Sequence, residues 1–310
     1  HQPEEYWPFE SVFDYAGSSF EAKLFQISDK NITKNPLKNE SEVKNVIEEL
    51  DSSIFSLKKI ESKPQSSSPK PPFRTSTLQM SAASGLGFTA DRTMQSAQKL
   101  YEGGLITYLR TDGISISTSP NTGEPFSEEN PGPPPLQEIR NFISTNYDSS
   151  YLSSETRVYK SKVQNSQEAH EAIRPTDISK TPSDVNLNGD EEKLYKMIWN
   201  RTVASQMASS RYERKTLIIE SKDNKYEFRA SSRKNLFKGF EILTGSDDEK
   251  SAFFPVGLEE GEELSLISNH YEQKFTTPPN RYSEASLIKK MEEEGIGRPS
   301  TYATIVKGLR

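Results

Sequence analysis

The sequence predicts a multi-domain α+β protein in which β-rich stretches flank a mainly helical insert and a short helical tail follows. Three observations carry that prediction. At 310 residues the chain exceeds one small module, since a domain holds roughly 100–200 residues. Its apolar residues make up 32% and its mean hydropathy is −0.78, too little apolar material for one large core. The hydrophobic pattern also changes period near residues 73 and 205, from strand alternation to helical spacing and back. Aromatics at 10% and a net charge of only −6 argue against wholesale disorder. Small cores joined by wet surfaces fit best.

The elements follow in chain order. Residues 11–15 and 20–27 are short β-like runs. Residues 41–56 form a helical pattern, with Val43, Val46, Ile47, Leu50 and Ile54 at helical spacing and Ser41 as its cap. Residues 63–72 (KPQSSSPKPP) are dense in Pro and Ser and predict a linker or extended arm. A helix over 91–102 places Met94, Ala97, Leu100 and Tyr101 on one side, and Gly103-Gly104 end it. Residues 105–110 (LITYLR) read as a short strand. Residues 118–135 (TSPNTGEPFSEENPGPPP) read as an irregular surface insertion. A further helix begins at Asp190 and carries Leu194, Met197, Ile198 and Val203. Residues 215–220 and 225–230 flank 221–224 as a β-hairpin, and β-like pieces continue to Ile267. The tail is helical again over 283–294, turns at Gly295-Ile296-Gly297, and reopens as a helix at Pro299.

Several function classes fall away. No apolar run approaches the roughly 18–20 residues of a membrane-spanning helix. Zero Cys excludes disulfide scaffolds, Cys-ligated zinc and thiol nucleophiles, and the three His are scattered. No initiator Met is present and the chain stops within a helical pattern, which leads us to expect a piece of something longer. The acidic total hides a segregated charge. Residues 201–238 carry ten Lys/Arg against four Asp/Glu, whereas 259–263 hold four carboxylates. The basic stretch is either a solvated β surface or a groove for a polyanion, whose binding would weaken steeply with salt.

Three segments could carry chemistry. In a strand over 105–110, Ile106, Tyr108 and Arg110 would share one face and Leu105, Thr107 and Leu109 the other. A phenol beside a guanidinium suits attack on a phosphodiester, because the cation favours the phenolate and can hold two phosphate oxygens. The hexapeptide alone leaves open that Tyr108 is one of 13 tyrosines on a half-buried strand. In residues 167–175 (QEAHEAIRP) the pattern approaches the zinc-protease motif, but Arg174 stands where the second His would be, so that chemistry is rejected. His170 and Arg174 would instead share a face of one helical turn as phosphate-directed donors, or form a salt-bridged surface with Glu168 or Glu171. In the tail, Gly-Ile-Gly would present Arg298, Ser300 and Thr301 at a helix N-terminus, a ready phosphate site.

Taken together, residues 100–112 (LYEGGLITYLRTD), 166–176 (SQEAHEAIRPT) and 281–303 (RYSEASLIKKMEEEGIGRPSTYA) resemble the bacterial type IA DNA topoisomerases. Residues 73–78 (FRTSTL) resemble that family's entry into its catalytic domain. The resemblance covers nearly the whole chain, more weakly over 1–60 and 210–275, and offers no counterpart for the 118–135 insertion. It implies a toroid fragment: a β-rich arch domain from 4–74 and 206–280, a nucleophile domain over 75–205, and the start of a helical DNA-strand-binding domain over 281–310. It implies that Tyr108 is the nucleophile that takes the 5′-phosphate of one DNA strand, that Arg110 neutralises the scissile phosphate, and that His170 organises it. Arg174, Arg298, Ser300 and Thr301 are the DNA-binding candidates, Arg298 and Thr301 by matching the family's strand-binding segment. Resealing from a phosphotyrosine would need no ATP.

The family's Toprim domain, with its catalytic Glu and Asp-x-Asp magnesium cluster, is not matched, and no Asp-x-Asp occurs in these residues. The expectation is therefore no metal site in this stretch, with Mg²⁺ held by the longer protein. The expected substrate is a single-stranded segment of negatively supercoiled DNA. A monomer in the bacterial cytoplasm, associated with the nucleoid and not with membrane, completes the implied setting. By itself the chain is expected not to relax DNA, and the alternative is a DNA-binding or structural module with an idle tyrosine. A tyrosine recombinase is disfavoured because its motif order differs.

Overall fold

The computed structural model describes residues 1–118, 134–160, 171–245 and 254–309. The chain divides into two discontinuous compact units: His1–Ser66 with Arg211–Phe237 and Asp247–Asn280, and Ser67–Ser210 with Lys238–Ser246 and Arg281–Arg310.

The first unit is built on strands β1 (Glu5–Tyr6), β2 (Phe9–Tyr15), β3 (Ser18–Ile27), β4 (Lys30–Asn31) and β5 (Phe55–Ser67), then β6 (Ser210–Ser221), β7 (Tyr226–Phe237), β8 (Glu263–Tyr271) and β9 (Lys274–Phe275). The main sheet runs β2-β8-β5-β6-β7-β3-β4, and β2 also pairs with β3, which closes six strands on themselves. Alternation makes this work: Phe9, Ser11 and Phe13 face inward on β2, and Phe20, Ala22 and Leu24 on β3. Phe13 sits edge-on to Phe55 and Phe228 at centroid distances of 5.3 and 5.2 Å. Closure removes the unpaired edges of a small sheet. Helix α1 (Glu40–Asp51) adds Val43, Val46 and Leu50 to the same core.

Sequence expectations are corrected here in several places. The cap of α1 is Asn39, whose side chain accepts from the Glu42 amide at 2.9 Å, and the helix ends before Ile54, which is half exposed. Residues 63–67 are not linker: β5 runs on through Ser67. A single Pro is tolerated there because it costs only one ladder donor. The hairpin over 215–230 is present and longer than expected, with Asn224 at φ +60° in its turn.

The second unit holds helices α2 (Thr75–Leu86), α3 (Ala90–Glu102), α4 (Pro135–Asn146), α5 (Gly189–Ala204), α6 (Glu241–Thr244), α7 (Glu284–Glu293) and α8 (Tyr302–Gly308). Leu78, Ala97, Leu100, Ile143, Leu194 and Ile198 are among the fully buried side chains of its core. Helices α2 and α4 went unpredicted. The former is Ser/Thr-rich and weakly amphipathic, the latter follows the Pro-dense insertion, of which residues 119–133 lie outside the described residues. Helix α3 forms as expected, except that Tyr101 is exposed and the left-handed residue is Gly104 (φ +69°), one beyond the cap Gly103. Residues 67–74, 206–210 and the tail 281–310 all belong to this unit.

Candidate active site

Residues 105–110 do not form a strand. Only Ile106 makes a bridge, to Pro175, and the remainder is turn and bend. Ile106 and Leu109 are both buried, so Ile106 does not share a face with Tyr108 and Arg110 as expected. The cause is a set of ties from two neighbouring segments. On one side, the Thr176 and Thr107 amides donate to the carbonyls of Leu105 (3.1 Å) and Arg174 (2.9 Å). The Thr107 hydroxyl donates to the Ala172 carbonyl at 2.8 Å and accepts from the Arg174 amide at 3.0 Å. On the other side, the Thr75 hydroxyl reaches the carbonyls of Leu109 (2.7 Å) and Thr111 (3.0 Å) and accepts from the Thr111 amide at 2.9 Å. The Thr75 amide, an orphan donor of the first turn of α2, is taken by the Thr111 carbonyl at 3.0 Å.

With Thr107, Leu109 and Thr111 held inward, the intervening side chains of Tyr108 and Arg110 project outward. Tyr108 is 53% exposed. Its ring stands edge-on to Tyr101 with centroids 5.5 Å apart. The phenol is thus on a fixed backbone, exposed, and not packed in an apolar interior.

Arg110 donates through Nη1 to the Ser300 carbonyl at 3.1 Å, so the tail reaches the tyrosine segment. The tail is anchored by an apolar patch of Ala90, Ile288, Met291, Tyr302 and Val306. Polar ties reinforce it: Arg74 and Ser76 bind the Glu292 carboxylate, with Ser76 Oγ at 2.6 Å from Oε1, and the Ala90 amide donates to Glu284 at 2.7 Å. Burial raises the pKa of the Tyr302 phenol above its usual value, and the Glu292 carboxylate adds to the rise.

The other sequence candidates fare differently. His170 lies outside the described residues. Residues 171–175 form no helical turn; they run as isolated bridges, with Ile173 against Phe73 and Pro175 against Ile106. Arg174 is 6% exposed, forked onto Glu171 (2.7 and 3.2 Å) and bonded to the Pro175 carbonyl at 2.9 Å. Glu171 in turn accepts from the Ser117 amide at 2.9 Å. Arg174 therefore stands as a buried strut under the tyrosine segment. Arg298 folds back onto the carbonyls of Gly297 (2.7 Å) and Gly295 (3.3 Å), and the Thr301 hydroxyl accepts from the Arg298 amide at 2.8 Å. The last helix starts at Tyr302, so Arg298, Ser300 and Thr301 form a tight turn ahead of it and not its first turn. Gly297 sits at φ +79° in this turn, and a Cβ there would meet Ile305 and Thr301 at 3.1 and 3.3 Å. The Glu171–Arg174 ion pair is one of the two alternatives the sequence offered, whereas Thr75 and Thr107 are missed from sequence as supports. Their only signal is that they lie inside the quoted motifs.

A closed antiparallel barrel joined to a helical unit that presents an exposed tyrosine beside an arginine defines a class. A family model described as DNA topoisomerase matches residues 1–310. The chain belongs to the DNA topoisomerase family. Among curated relatives it is similar to DNA topoisomerase 1 of Rickettsia bellii, 43% identical over 99% of this chain and 38% of that protein. DNA topoisomerase 1 of Zymomonas mobilis is 38% identical over 100% of this chain and 25% of that protein. Full-length topoisomerase I from Thermotoga maritima, a solved structure, superposes with a TM-score of 0.76 at 31% identity, covering 100% of this chain and 47% of that one. The mixed α/β architecture with its large antiparallel sheet is the type IA topoisomerase fold. The chain spans a quarter to two fifths of these two curated relatives. No helix among the described residues is long and apolar enough to cross a membrane.

Proposed function

We propose that this chain is the tyrosine-bearing part of a type IA DNA topoisomerase that cuts and reseals one DNA strand through a 5′-phosphotyrosine. The observation that supports it is Tyr108 held outward and exposed on a backbone fixed from both sides, with Arg110 two residues on. The phenolic oxygen attacks phosphorus and gives up its proton, the bond from phosphorus to the 3′-oxygen breaks, and that oxygen leaves with a proton as a hydroxyl. Resealing runs the same exchange backwards. One phosphoester replaces another, so ATP is not required. Arg110 supplies planar donors for the phosphate oxygens, where each charge-assisted bond contributes about 1.5–3 kcal/mol. His170 organises the same phosphate. The turn of Arg298, Ser300 and Thr301 borders the strand, and its proximity to Arg110 supports that placement. Arg174 acts beneath the site through Glu171.

Magnesium enters this reading only through the longer protein. Among the described residues no group of three or more His, Cys, Asp or Glu side chains is placed to hold a metal ion, and no step is routed through magnesium. The reading keeps a β-rich arch (4–74 and 206–280), a nucleophile domain (75–205) and a partial strand-binding domain (281–310). It also holds that the protein works as a monomer on single-stranded segments of negatively supercoiled DNA in the bacterial cytoplasm, and that these 310 residues alone bind DNA without relaxing it. The test is Tyr108→Phe in the longer protein, read as the covalent adduct with a labelled oligonucleotide. Folding stability should stay unchanged, because the Tyr108 hydroxyl has no hydrogen-bond partner among the described residues, and the adduct should vanish. An adduct that persists refutes the assignment. Plasmid relaxation by the 310 residues alone refutes the incompleteness of the chain.

A further inference from the structure

The barrel unit carries charge that its own fold does not use. Strands β3, β6 and β7 present outward side chains in which like charges oppose each other directly: Lys23 pairs in register with Arg229, and Arg214 with Arg233. Same-sign neighbours on a ladder are destabilising, and two such rungs lie four residues apart along β7, about 13 Å at strand rise. Of the nearby carboxylates, Glu227 holds Arg229 at 2.7 Å, Glu61 holds Lys59 and Lys63 at 3.2 Å, and Glu10 stands opposite Lys23 on β2. Among the described residues Lys23, Arg214 and Arg233 make no ion pair. A groove of about 420 Å³ is lined by Lys23, Lys63, Arg214 and Arg229, by Thr216 and Ser231, and by the single carboxylate of Glu61, with Arg233 just outside it, opposite Arg214. The Arg229 guanidinium lies flat on Phe25 at 3.4 Å and that of Arg233 on Tyr212 at 3.5 Å, which fixes both heads at the surface.

At Lys23 and Thr33 the groove meets a second cavity of about 530 Å³ walled by Tyr6, Trp7 and Phe9. Trp7 is half-buried and its indole N–H is held by Glu5 at 2.8 Å, so the ring edge is oriented while its surroundings stay open. A cationic track leading into an aromatic cavity is the combination that accommodates phosphates and unstacked bases of a single strand, whereas duplex DNA hides its bases from such a wall. We propose that this face of the barrel is a second binding site for single-stranded DNA, with backbone phosphates on Lys23, Arg214, Arg229 and Arg233 and a base against Trp7. The inference goes beyond the tyrosine reading, since all these residues belong to the unit that lacks Tyr108.

The test uses the whole chain and a labelled oligothymidylate. Replacing Lys23, Arg214 and Arg233 together by Gln removes three phosphate contacts. The slope of log affinity against log salt should then flatten by about 2, and affinity near 0.1 M salt should fall about a hundredfold, at roughly 0.7 per single-strand contact. The triple variant placed in the longer protein should still form the tyrosine adduct. Failure of this site and failure of the tyrosine assignment are thereby separated. Oligothymidylate should also quench the emission of Trp7, and Trp7→Phe should abolish that quenching while Trp199, buried in the other unit, stays silent. An unchanged slope and affinity in the triple variant overturns the proposal. So does quenching that survives Trp7→Phe, or a duplex that binds as tightly and quenches equally.

Discussion

Thr75 is where the geometry of the tyrosine segment can be tested without touching the tyrosine. Its hydroxyl is fully buried and lies within bonding distance of three backbone atoms: the Leu109 carbonyl at 2.7 Å, the Thr111 carbonyl at 3.0 Å and the Thr111 amide at 2.9 Å. One proton serves one carbonyl at a time, so two bonds are present at any moment. Thr75→Val keeps the shape and the β-branch but leaves the Thr111 amide without its acceptor and the Leu109 carbonyl without its donor. Each unsatisfied buried group costs about 1–3 kcal/mol, and the bond from the Thr75 amide to the Thr111 carbonyl survives, so two such groups give an expected loss of about 2–6 kcal/mol. Urea unfolding measures it, with Thr75→Ser as the control that retains the hydroxyl. In the longer protein, Thr75→Val should slow adduct formation at saturating DNA while leaving DNA affinity near the parent value, because Tyr108 loses its fixed backbone and not its contact surface. Equal stability of Thr75→Val and Thr75→Ser would refute the claim that this hydroxyl holds the segment.

The anchoring of the tail gives a second prediction. Glu292→Ala strands Arg74, whose side chain is only 17% exposed, and should destabilise the helical unit by on the order of 3 kcal/mol. Amide exchange in α7 should accelerate more than in α5. Gln79 is fully buried, and neither polar atom of its amide has a partner among the described residues. Gln79→Met should therefore raise stability by about 1–2 kcal/mol in urea unfolding. Acid should act through paired carboxylates. Arg92 holds the Asp190 carboxyl below its ordinary value, Lys99 does the same for Glu191, and Lys225 and then Tyr226 for Glu49. A folded pKa below the unfolded one contributes stability that is complete above the unfolded value and lost as pH falls through the folded one. Thermal midpoints should be level from neutrality to about pH 5 and then decline, and Asp190→Asn should narrow the difference between neutral and acid midpoints.

The parts of the fold legible in the sequence are those where one period dominates. Residues 20–24 alternate cleanly because one face of β3 meets the barrel core, and 194–203 repeat at helical spacing because α5 buries a stripe. Legibility fails where burial comes from several directions. Helix α2 hides Thr75, Ser76, Leu78, Gln79 and Ala82, a set too polar to register as a stripe, since its hydroxyls serve neighbouring backbone. The segment 63–67 carries Pro and Ser yet continues β5, because strand pairing outweighs local turn preference. Arg174 is ambiguous for a related reason: a guanidinium within a motif suits a phosphate or a neighbouring carboxylate, and here it is matched by Glu171 three residues earlier and sealed beneath the surface.

The tyrosine itself shows how an expected exposure can emerge from an incorrect element. Strand alternation predicted that Tyr108 and Arg110 share a face, and both are exposed. A strand would have achieved this through a ladder of evenly placed backbone bonds. The chain instead adds side-chain hydroxyls, Thr107 on one flank and Thr75 on the other, to the few backbone bonds made by Leu105, Thr107 and Thr111. This solution leaves the outward side free of a competing strand, so Tyr108 and Arg110 stay exposed there. It also makes the presentation of Tyr108 depend on two hydroxyl groups of fixed reach, which a β-ladder would have spread over many bonds. Removing either hydroxyl should therefore loosen the backbone under Tyr108 more than the loss of one rung would loosen a β-ladder.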